Sequence, residues 1–245
     1  MHKKDIVMLY GTDAAAMTTR LLEHMDWASK IRKDAHIVLK PNLVIAATAD
    51  GGATTHPEIV EAAIAYFHTL GFSRISIVES AWVGDSTARA FKVHGYQRFV
   101  ETYGVDLVDV KQDAYVKEES HGFSIEMSRT IMEADFLISL PVLKGHCQTT
   151  MTCALKNMKG CISDRSKRQF HSWGLHDPIA ALNALRKADL VIVDSLNGDL
   201  DFEEGGNPVH TNRMFAGTDS VLVDTYGASL MGFEVEDIPY IGIAE

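Results

Sequence analysis

The chain has 245 residues, of which 46% are hydrophobic and 23% are charged, and its formal net charge is −10. This balance is typical of a globular protein and excludes a disordered, collagen-like or coiled-coil chain, and the negative charge argues against general nucleic-acid binding. The longest apolar run, Phe136–Leu143, is far shorter than the ~20 residues of a membrane span. Because the N-terminus lacks a signal-peptide core and three cysteines are too few for a disulfide scaffold, we expect a cytoplasmic protein with no membrane partner.

Short apolar, β-branched runs predict seven strands. Several of them are almost continuously hydrophobic, which is typical of parallel strands that are buried on both faces. The predicted strands are Asp5–Tyr10, His36–Lys40, Arg74–Glu79, Val105–Val110, Asp135–Leu140, Asp189–Asp194 and Asn212–Ala216.

Helical segments are predicted between these strands. Pro57 at a first turn opens one helix, which Gly71 ends. A second helix runs from Asp177 to Leu185, a third from Ser220 to Leu230, and residues 122–130 indicate a hairpin-like excursion. The alternating order predicts an α/β fold: a mostly parallel β-sheet flanked by helices on both faces, in three layers, as a single domain over residues 1–245.

Polar or ionisable side chains follow five of the predicted strands. In an open α/β sheet, ligands bind outside the carboxyl ends of the strands, so these side chains are expected to share one rim. The alternative is that they are ordinary polar loop residues, since strand ends are exposed. The segments concerned are Gly11–Asp13, Lys40–Asn42, Glu79–Trp82, Pro141–His146 and Asp194–Gly198.

The segment from Lys144 to His171 is basic, with six cations against one acid in an otherwise acidic chain. A basic loop after a buried strand can concentrate an anion such as a phosphate or a carboxylate, and a helix start near Thr149 and Thr150 offers free backbone N–H groups. The alternative is a solvated surface loop that makes weak ion pairs.

The cysteines Cys147, Cys153 and Cys161 lie in this segment. Three thiolates could hold an iron–sulfur cluster, although their spacing matches none of the compact cluster motifs; small buried residues or one reactive thiol are the alternatives. Metal binding through His146, His171 and Asp194 is a further hypothesis.

Several common motifs are missing from the sequence. It contains no G-x-G-x-x-G after a strand, no phosphate-binding P-loop and no G-x-S-x-G elbow, which argues against a conventional dinucleotide site, a P-loop NTPase and a serine hydrolase. The acidic stretch from Asn197 to His210 is compatible with a mobile lid, a cation site or a simple solvated loop.

A set of short motifs resembles, in order, the domain of unknown function 362 family. The resemblance covers about Lys40 to Gly232, and it implies the α/β fold and the rim residues without an established substrate. Family members are often described as iron–sulfur proteins because some carry ferredoxin-like modules, and this chain has no such CxxCxxC module. The motifs are Lys40–Asn42, Thr55–Pro57, Glu79–Ser80, Leu143–His146, Ala154–Gly160, His171, Val193–Asp194 and Ala216–Asp219.

The leading hypothesis is a small-molecule enzyme that binds an anionic substrate or cofactor at the C-terminal rim of the sheet. His146, Glu79 and Lys144 are the predicted catalytic residues. The resemblance alone implies a reaction that is redox-linked, with a redox partner, or that belongs to cofactor metabolism. The alternatives are an iron–sulfur protein that uses Cys147, Cys153 and Cys161, and a non-catalytic metabolite-binding module. The predicted anion-binding residues are Lys40, Asn42, Thr150, Lys156, Asn157, Arg165, Arg168 and His171.

Overall fold

The computed structural model describes residues 5–245 and contains a seven-stranded, mostly parallel sheet. The strand order is β1-β11-β10-β7-β2-β3-β4, and β11 is antiparallel to both of its neighbours. The strands of this sheet are β1 (Val7–Tyr10), β2 (Ile37–Pro41), β3 (Ile75–Glu79), β4 (Asp106–Asp109), β7 (Phe136–Leu140), β10 (Leu190–Asp199) and β11 (Pro208–Gly217). Two hairpins complete the β structure: β5 (Tyr115–Ser120) with β6 (Phe123–Ser128), and β8 (Lys144–His146) with β9 (Thr150–Thr152).

Helices cover both faces of the sheet, so the predicted three-layer α/β fold is confirmed. One apolar core lies under α1 to α4, and the other lies under α5 to α10. Every residue of β2, β3 and β7 is buried, which explains their nearly continuous apolar sequences. The helices are α1 (Ala14–Met25), α2 (Pro57–Thr69), α3 (Thr87–Val93), α4 (Gln97–Tyr103), α5 (Arg129–Met132), α6 (Ala154–Asn157), α7 (Asp164–Trp173), α8 (His176–Leu185), α9 (Ser220–Met231) and α10 (Pro239–Ala244).

The helix boundaries follow capping chemistry. Pro57 opens α2, and the carboxylate of Asp219 accepts the first free N–H groups of α9, which Gly232 ends in a left-handed conformation. The hairpin-like excursion is the β5–β6 hairpin, whose two-residue turn places His121 and Gly122 at positive φ.

The basic segment departs from the predicted loop. It begins with the β8–β9 hairpin and ends with α7, which Ser163 caps through its hydroxyl oxygen. Strands of three residues are too short for a period-2 pattern, and α7 is too polar for its helical period to stand out in the sequence. The last strand, β11, is also longer than predicted, because it forms a hairpin with β10 that extends beyond the parallel strands.

The order of the strands locates a binding crevice. From β2 the chain proceeds to β3 and β4 on one side, and β7 then pairs with β2 on the other side. The carboxyl ends of β2 and β7 therefore meet where the strand order reverses, which is the usual ligand position in such sheets. Within residues 5–245, no helix has the length and apolar character needed to cross a bilayer.

Candidate functional site

A cavity of about 320 Å³ opens at this crevice, at the carboxyl ends of β2 and β3. The β8–β9 hairpin, the segment Ala154–Cys161, α7 and the loop of residues 200–207 complete its walls. Predicted site residues from distant parts of the sequence meet here: Lys40, Asn42, Glu79, Lys144, His146, Lys156, Asn157, Arg168 and His171. Lys159, Lys167, Glu203 and Glu204 line the same cavity.

Lys40 and Glu79 form a buried ion pair at the floor of the cavity. Their side chains are 1% and 3% exposed, and Lys40 Nζ lies 2.6 Å from Glu79 Oε2. Lys40 also donates to the carbonyl of Pro41 and to Asn157 Oδ1, so all three of its N–H groups are used. Glu79 accepts two more hydrogen bonds, from the backbone N–H groups of Leu43 and Ser80. Both charged groups are therefore fully paired with other groups of the protein.

The two predicted amides belong to the same network. Asn157 Oδ1 accepts from Lys40 and from Asn42 Nδ2, and Asn157 Nδ2 donates to the backbone of Lys40 and to Ser139 Oγ. Asn42 Oδ1 accepts from Lys144 Nζ at 3.4 Å. These contacts join the ends of β2, β7 and β8 to α6, so both amides hold the cavity wall together.

Two further lysines are saturated by protein oxygens. Lys144 Nζ donates to Asn42 Oδ1 and to the carbonyls of Ala53 and Glu203. Burial lowers the pKa of Lys144 to about 7, whereas three oxygen acceptors favour its charged ammonium form. Lys167 Nζ donates to the hydroxyl and carbonyl of Ser80 and to the carbonyl of Ala81.

Three cations of the cavity remain largely unpaired among the described residues. Lys156 Nζ donates only to Thr152 Oγ1 at 3.3 Å, and Lys159 Nζ lies 3.4 Å from His171 Nε2. Arg168 is exposed at the cavity mouth and has no side-chain hydrogen bond or ion pair in residues 5–245. Burial lowers the pKa of Lys159 to about 8. Burial, followed by the positive charges of Lys159 and Lys144, holds the pKa of Lys156 well below its usual value.

His146 is fixed in one tautomer by the hairpin turn. Its Nδ1 accepts the backbone N–H groups of Gln148 and Thr149, at 3.0 and 3.2 Å. The proton of the neutral ring therefore lies on Nε2, which is 3.5 Å from Glu203 Oε1. Burial, followed by the neighbouring lysines, holds the pKa of His146 well below its ordinary value. His146 thus offers the cavity a neutral N–H donor.

The loop of residues 200–207, here called the lid loop, covers one side of the cavity. The Asp199 carboxylate accepts the N–H groups of Asp201, Phe202 and Asn207, which folds the loop back. Gly145 permits this packing, because a Cβ there would lie 2.2 Å from the Leu200 carbonyl oxygen. The lid loop is part of the acidic stretch from Asn197 to His210, for which the sequence suggests a mobile lid as one of three interpretations.

Glu203 is the acid that the lid loop brings to the cavity. Its carboxylate accepts from the backbone N–H of Cys147 at 3.2 Å. Burial raises the pKa of Glu203, but the backbone N–H groups of Glu203 itself and of Cys147 favour the ionised form and help to lower the pKa overall. Glu203 is also the acid that most raises the pKa of Lys156 and Lys159. Glu203 therefore partly balances the positive charge of these two lysines.

His146, Cys147 and Glu203 form a group whose metal-ligating atoms lie within 4.8 Å of one another. The group suits a metal poorly. Nε2 of His146 carries the ring proton, because Nδ1 accepts two N–H donors, and a metal-bound nitrogen must be unprotonated. The Lys159 ammonium faces the same space and repels a divalent cation.

The three cysteines have different surroundings. Cys147 is exposed and its thiol donates to Glu203 Oε1 at 3.3 Å, whereas Cys153 and Cys161 are buried in the apolar core. Burial raises the pKa of Cys161 to about 12 and that of Cys153 well above its ordinary value. In residues 5–245 the three sulfurs do not form a group within 4.8 Å of one another.

Two predicted anion-binding residues point elsewhere. Thr150 Oγ1 donates to the carbonyl of Asp237, and Arg165 pairs with Glu126 of β6 at 3.3 Å. Asp194, one of the suggested metal ligands, is instead buried against His56 Nδ1 at 2.7 Å. Burial lowers the pKa of His56, but the hydrogen bond to the Asp194 carboxylate and the negative charges of Asp194 and other nearby acids together raise it overall.

The model of the family described as domain of unknown function (DUF362) matches residues 37–229, which include every cavity residue named above. The chain belongs to this family. The resemblance in the short motifs is thereby confirmed.

One relative and two solved structures of similar fold add three comparisons. A thylakoid-associated protein of Synechocystis is 25% identical over 235 residues, which cover 93% of this chain and 70% of that protein. The apoprotein of lactate racemase from Thermoanaerobacterium thermosaccharolyticum has a similar fold, with a TM-score of 0.64 at 13% identity over 95% of this chain. A Thermotoga maritima protein follows with a TM-score of 0.57, also at 13% identity, over 91% of this chain. The chain spans 57% and 60% of these two solved chains.

Proposed function

We propose that this protein is a small-molecule enzyme that binds a carboxylate-bearing substrate in the cavity at the ends of β2 and β3. The substrate's anionic group lies against Lys159 and Arg168, and its reacting carbon faces Lys156 and His146. The saturation of the lysines carries this proposal: three of them donate three hydrogen bonds each to protein oxygens, whereas Lys156 and Lys159 do not.

Lys156 and Lys159 are half-buried. An amine that is partly removed from water and has few acceptors is costly, and a bound anion would supply the missing partners. His171 lies next to Lys159 and shares its side of the cavity. A small carboxylate fits the volume of about 320 Å³, and lactate racemase, which shares the fold, is named for such an acid. Small carboxylates are therefore the first ligands to test.

An enzyme is favoured over a passive binding module because two groups with strongly lowered pKa values, Lys156 and His146, share the cavity. Such groups concentrate where proton transfer or nucleophilic attack occurs. The neutral imidazole donates through Nε2 and can polarise a carbonyl or carboxyl oxygen. The redox-linked and iron–sulfur hypotheses stay predictions.

The test is a calorimetric titration with lactate, malonate and inorganic phosphate at fixed ionic strength. Lys159→Met and Arg168→Met should each weaken carboxylate binding by about tenfold to a hundredfold, since a hydrogen bond to a charged group contributes about 1.5–3 kcal/mol. Arg165→Met is the matched control, because Arg165 lies on the same helix but pairs with Glu126. Equal binding by all three variants would refute the anion site.

Turnover separates the enzyme from the binding module. Bound carboxylates in D₂O should exchange a carbon-bound proton or be converted, as seen by NMR, and His146→Phe should abolish this without weakening binding to the same extent. Binding with no exchange or conversion for any carboxylate that stabilises the protein would support the non-catalytic module instead.

A further inference from the structure

We propose that Lys156 is a nucleophile that forms an imine with the carbonyl carbon of a 2-oxo acid. This inference names the substrate class of the proposed function and rests on it for the carboxylate subsite. The observation behind it is a cavity-facing amine that has one hydrogen bond, to the Thr152 hydroxyl, and no acidic partner within 4.0 Å among the described residues.

The surroundings of Lys156 favour the free amine, which is the form that attacks carbonyls. Burial acts most strongly against the ammonium form, and the positive charges of Lys159 and Lys144 act in the same direction. Glu203 and Cys147 act in the opposite direction. A lysine that is desolvated beside another cation is a recognised form of activated amine.

The spacing of the two lysines selects the substrate. Lys156 and Lys159 are three residues apart on consecutive turns of α6 and the following 3₁₀ helix, so their side chains are neighbours on one face. A 2-oxo acid places its carboxylate and its carbonyl on adjacent carbon atoms. The carboxylate can therefore lie against Lys159 and Arg168 while the carbonyl carbon faces Lys156.

The step balances with groups already in the cavity. The Lys156 Nζ lone pair forms the C–N bond, and the carbonyl oxygen accepts a hydrogen bond from His146 Nε2 and is protonated by the Lys159 ammonium. The oxygen then leaves as water, which carries away both amine hydrogens in net terms, and the C=N bond forms. No oxidant or reductant takes part.

Reductive trapping tests the inference. The protein is incubated with pyruvate and cyanoborohydride, and the adduct is located by intact mass and peptide mapping. We expect one saturable adduct on Lys156, with the exposed Lys117 modified at least tenfold more slowly. Lactate should compete, and Lys156→Met should lower the labelling to the level of Lys117. Labelling of Lys156 no faster than Lys117 in wild-type protein overturns the inference, whether or not the variant folds.

Two variants should shift the pH dependence of labelling, which a purely structural role of Lys156 would leave unchanged. Lys159→Met removes the strongest repelling charge, so the pH at which labelling reaches half its maximum should rise. Glu203→Gln removes the main opposing acid, so that midpoint should fall. Midpoints that do not move, or that move in the reverse directions, contradict the assignment of the amine.

The outcomes also separate this inference from the proposed function. If pyruvate stabilises the protein in a Lys159-dependent way but no adduct forms, the proposed anion site is supported and the assignment of Lys156 as a nucleophile is wrong. If acetaldehyde labels Lys156 as efficiently as pyruvate does, the assignment of Lys156 as a nucleophile is supported and the proposed carboxylate subsite is wrong.

Discussion

Lys40→Met is the substitution that most directly tests how the cavity is built. Lys40 is the buried partner of Glu79, and methionine retains most of its volume while it removes the charge and three N–H donors. Glu79 would then be a carboxylate with 3% exposed side chain and only two backbone donors, those of Leu43 and Ser80. Removal of one member of a buried ion pair leaves an uncompensated charge in the interior.

The expected loss in the free energy of unfolding is about 3–5 kcal/mol. For a domain of 150–250 residues this corresponds to a decrease of roughly 6–20 °C in the melting temperature. The double variant that adds Glu79→Gln should recover part of the loss, because the second substitution removes the unpaired charge. The recovery measures the coupling between the two side chains.

Urea denaturation followed by circular dichroism measures these changes. Lys159→Met is the matched control, since it removes an amine from the same cavity that has no acidic partner; its effect should be neutral or stabilising. Arg98→Met, at an exposed pair with Glu61, should cost less than about 1 kcal/mol. If Lys40→Met costs no more than Lys159→Met, the division between saturated and unpaired lysines is wrong.

Three further predictions concern single sites. Gly160→Ala should destabilise the fold, because its Cβ would lie 1.9 Å from Glu79 Oε1; thermal unfolding checks this. Gly145→Ala should displace the lid loop from the Leu200 carbonyl and increase proteolysis within residues 200–207, with a smaller change in stability than Gly160→Ala. Burial lowers the pKa of His94 to about 4, so the stability that it contributes above pH 6.5 is lost as the pH falls toward 4. His94→Phe should therefore reduce the difference in stability between pH 7 and pH 4.5, and an unchanged difference would refute this assignment.

The fold was predictable because its information is local. Continuous apolar runs identify the buried strands, and Pro57 and Gly71 mark the two ends of α2 through local chemistry that acts within a few residues. The strand-end rule then brought Lys40, Lys144 and other distant residues to one rim without any knowledge of contacts. The single-domain organisation stays a prediction.

The division of roles within the site was not predictable in the same way. Lys40 and Lys156 are both lysines in short motifs, and only the packed structure decides which of them meets three oxygens. Proximity in the sequence places Arg165 beside Arg168, yet Glu126 of a distant hairpin pairs with Arg165. Glu203 lies close to His146 because the β10–β11 hairpin extends beyond the sheet. The acidic sequence of the lid loop is irregular and does not predict this contact.

The cost of the unpaired amines is itself an argument for function. The fold could satisfy buried lysines, since it gives three oxygen acceptors to each of Lys40, Lys144 and Lys167. Lys156 and Lys159 lie within one helical turn of Asn157, which belongs to that satisfied network, and they nevertheless lack comparable partners. Half-buried amines of this kind gain stability when a bound ligand completes their hydrogen bonds. The two amines share one cavity with a neutral imidazole donor, and a site for an anionic carbonyl compound requires this combination. A purely structural role would not explain why these groups lie together.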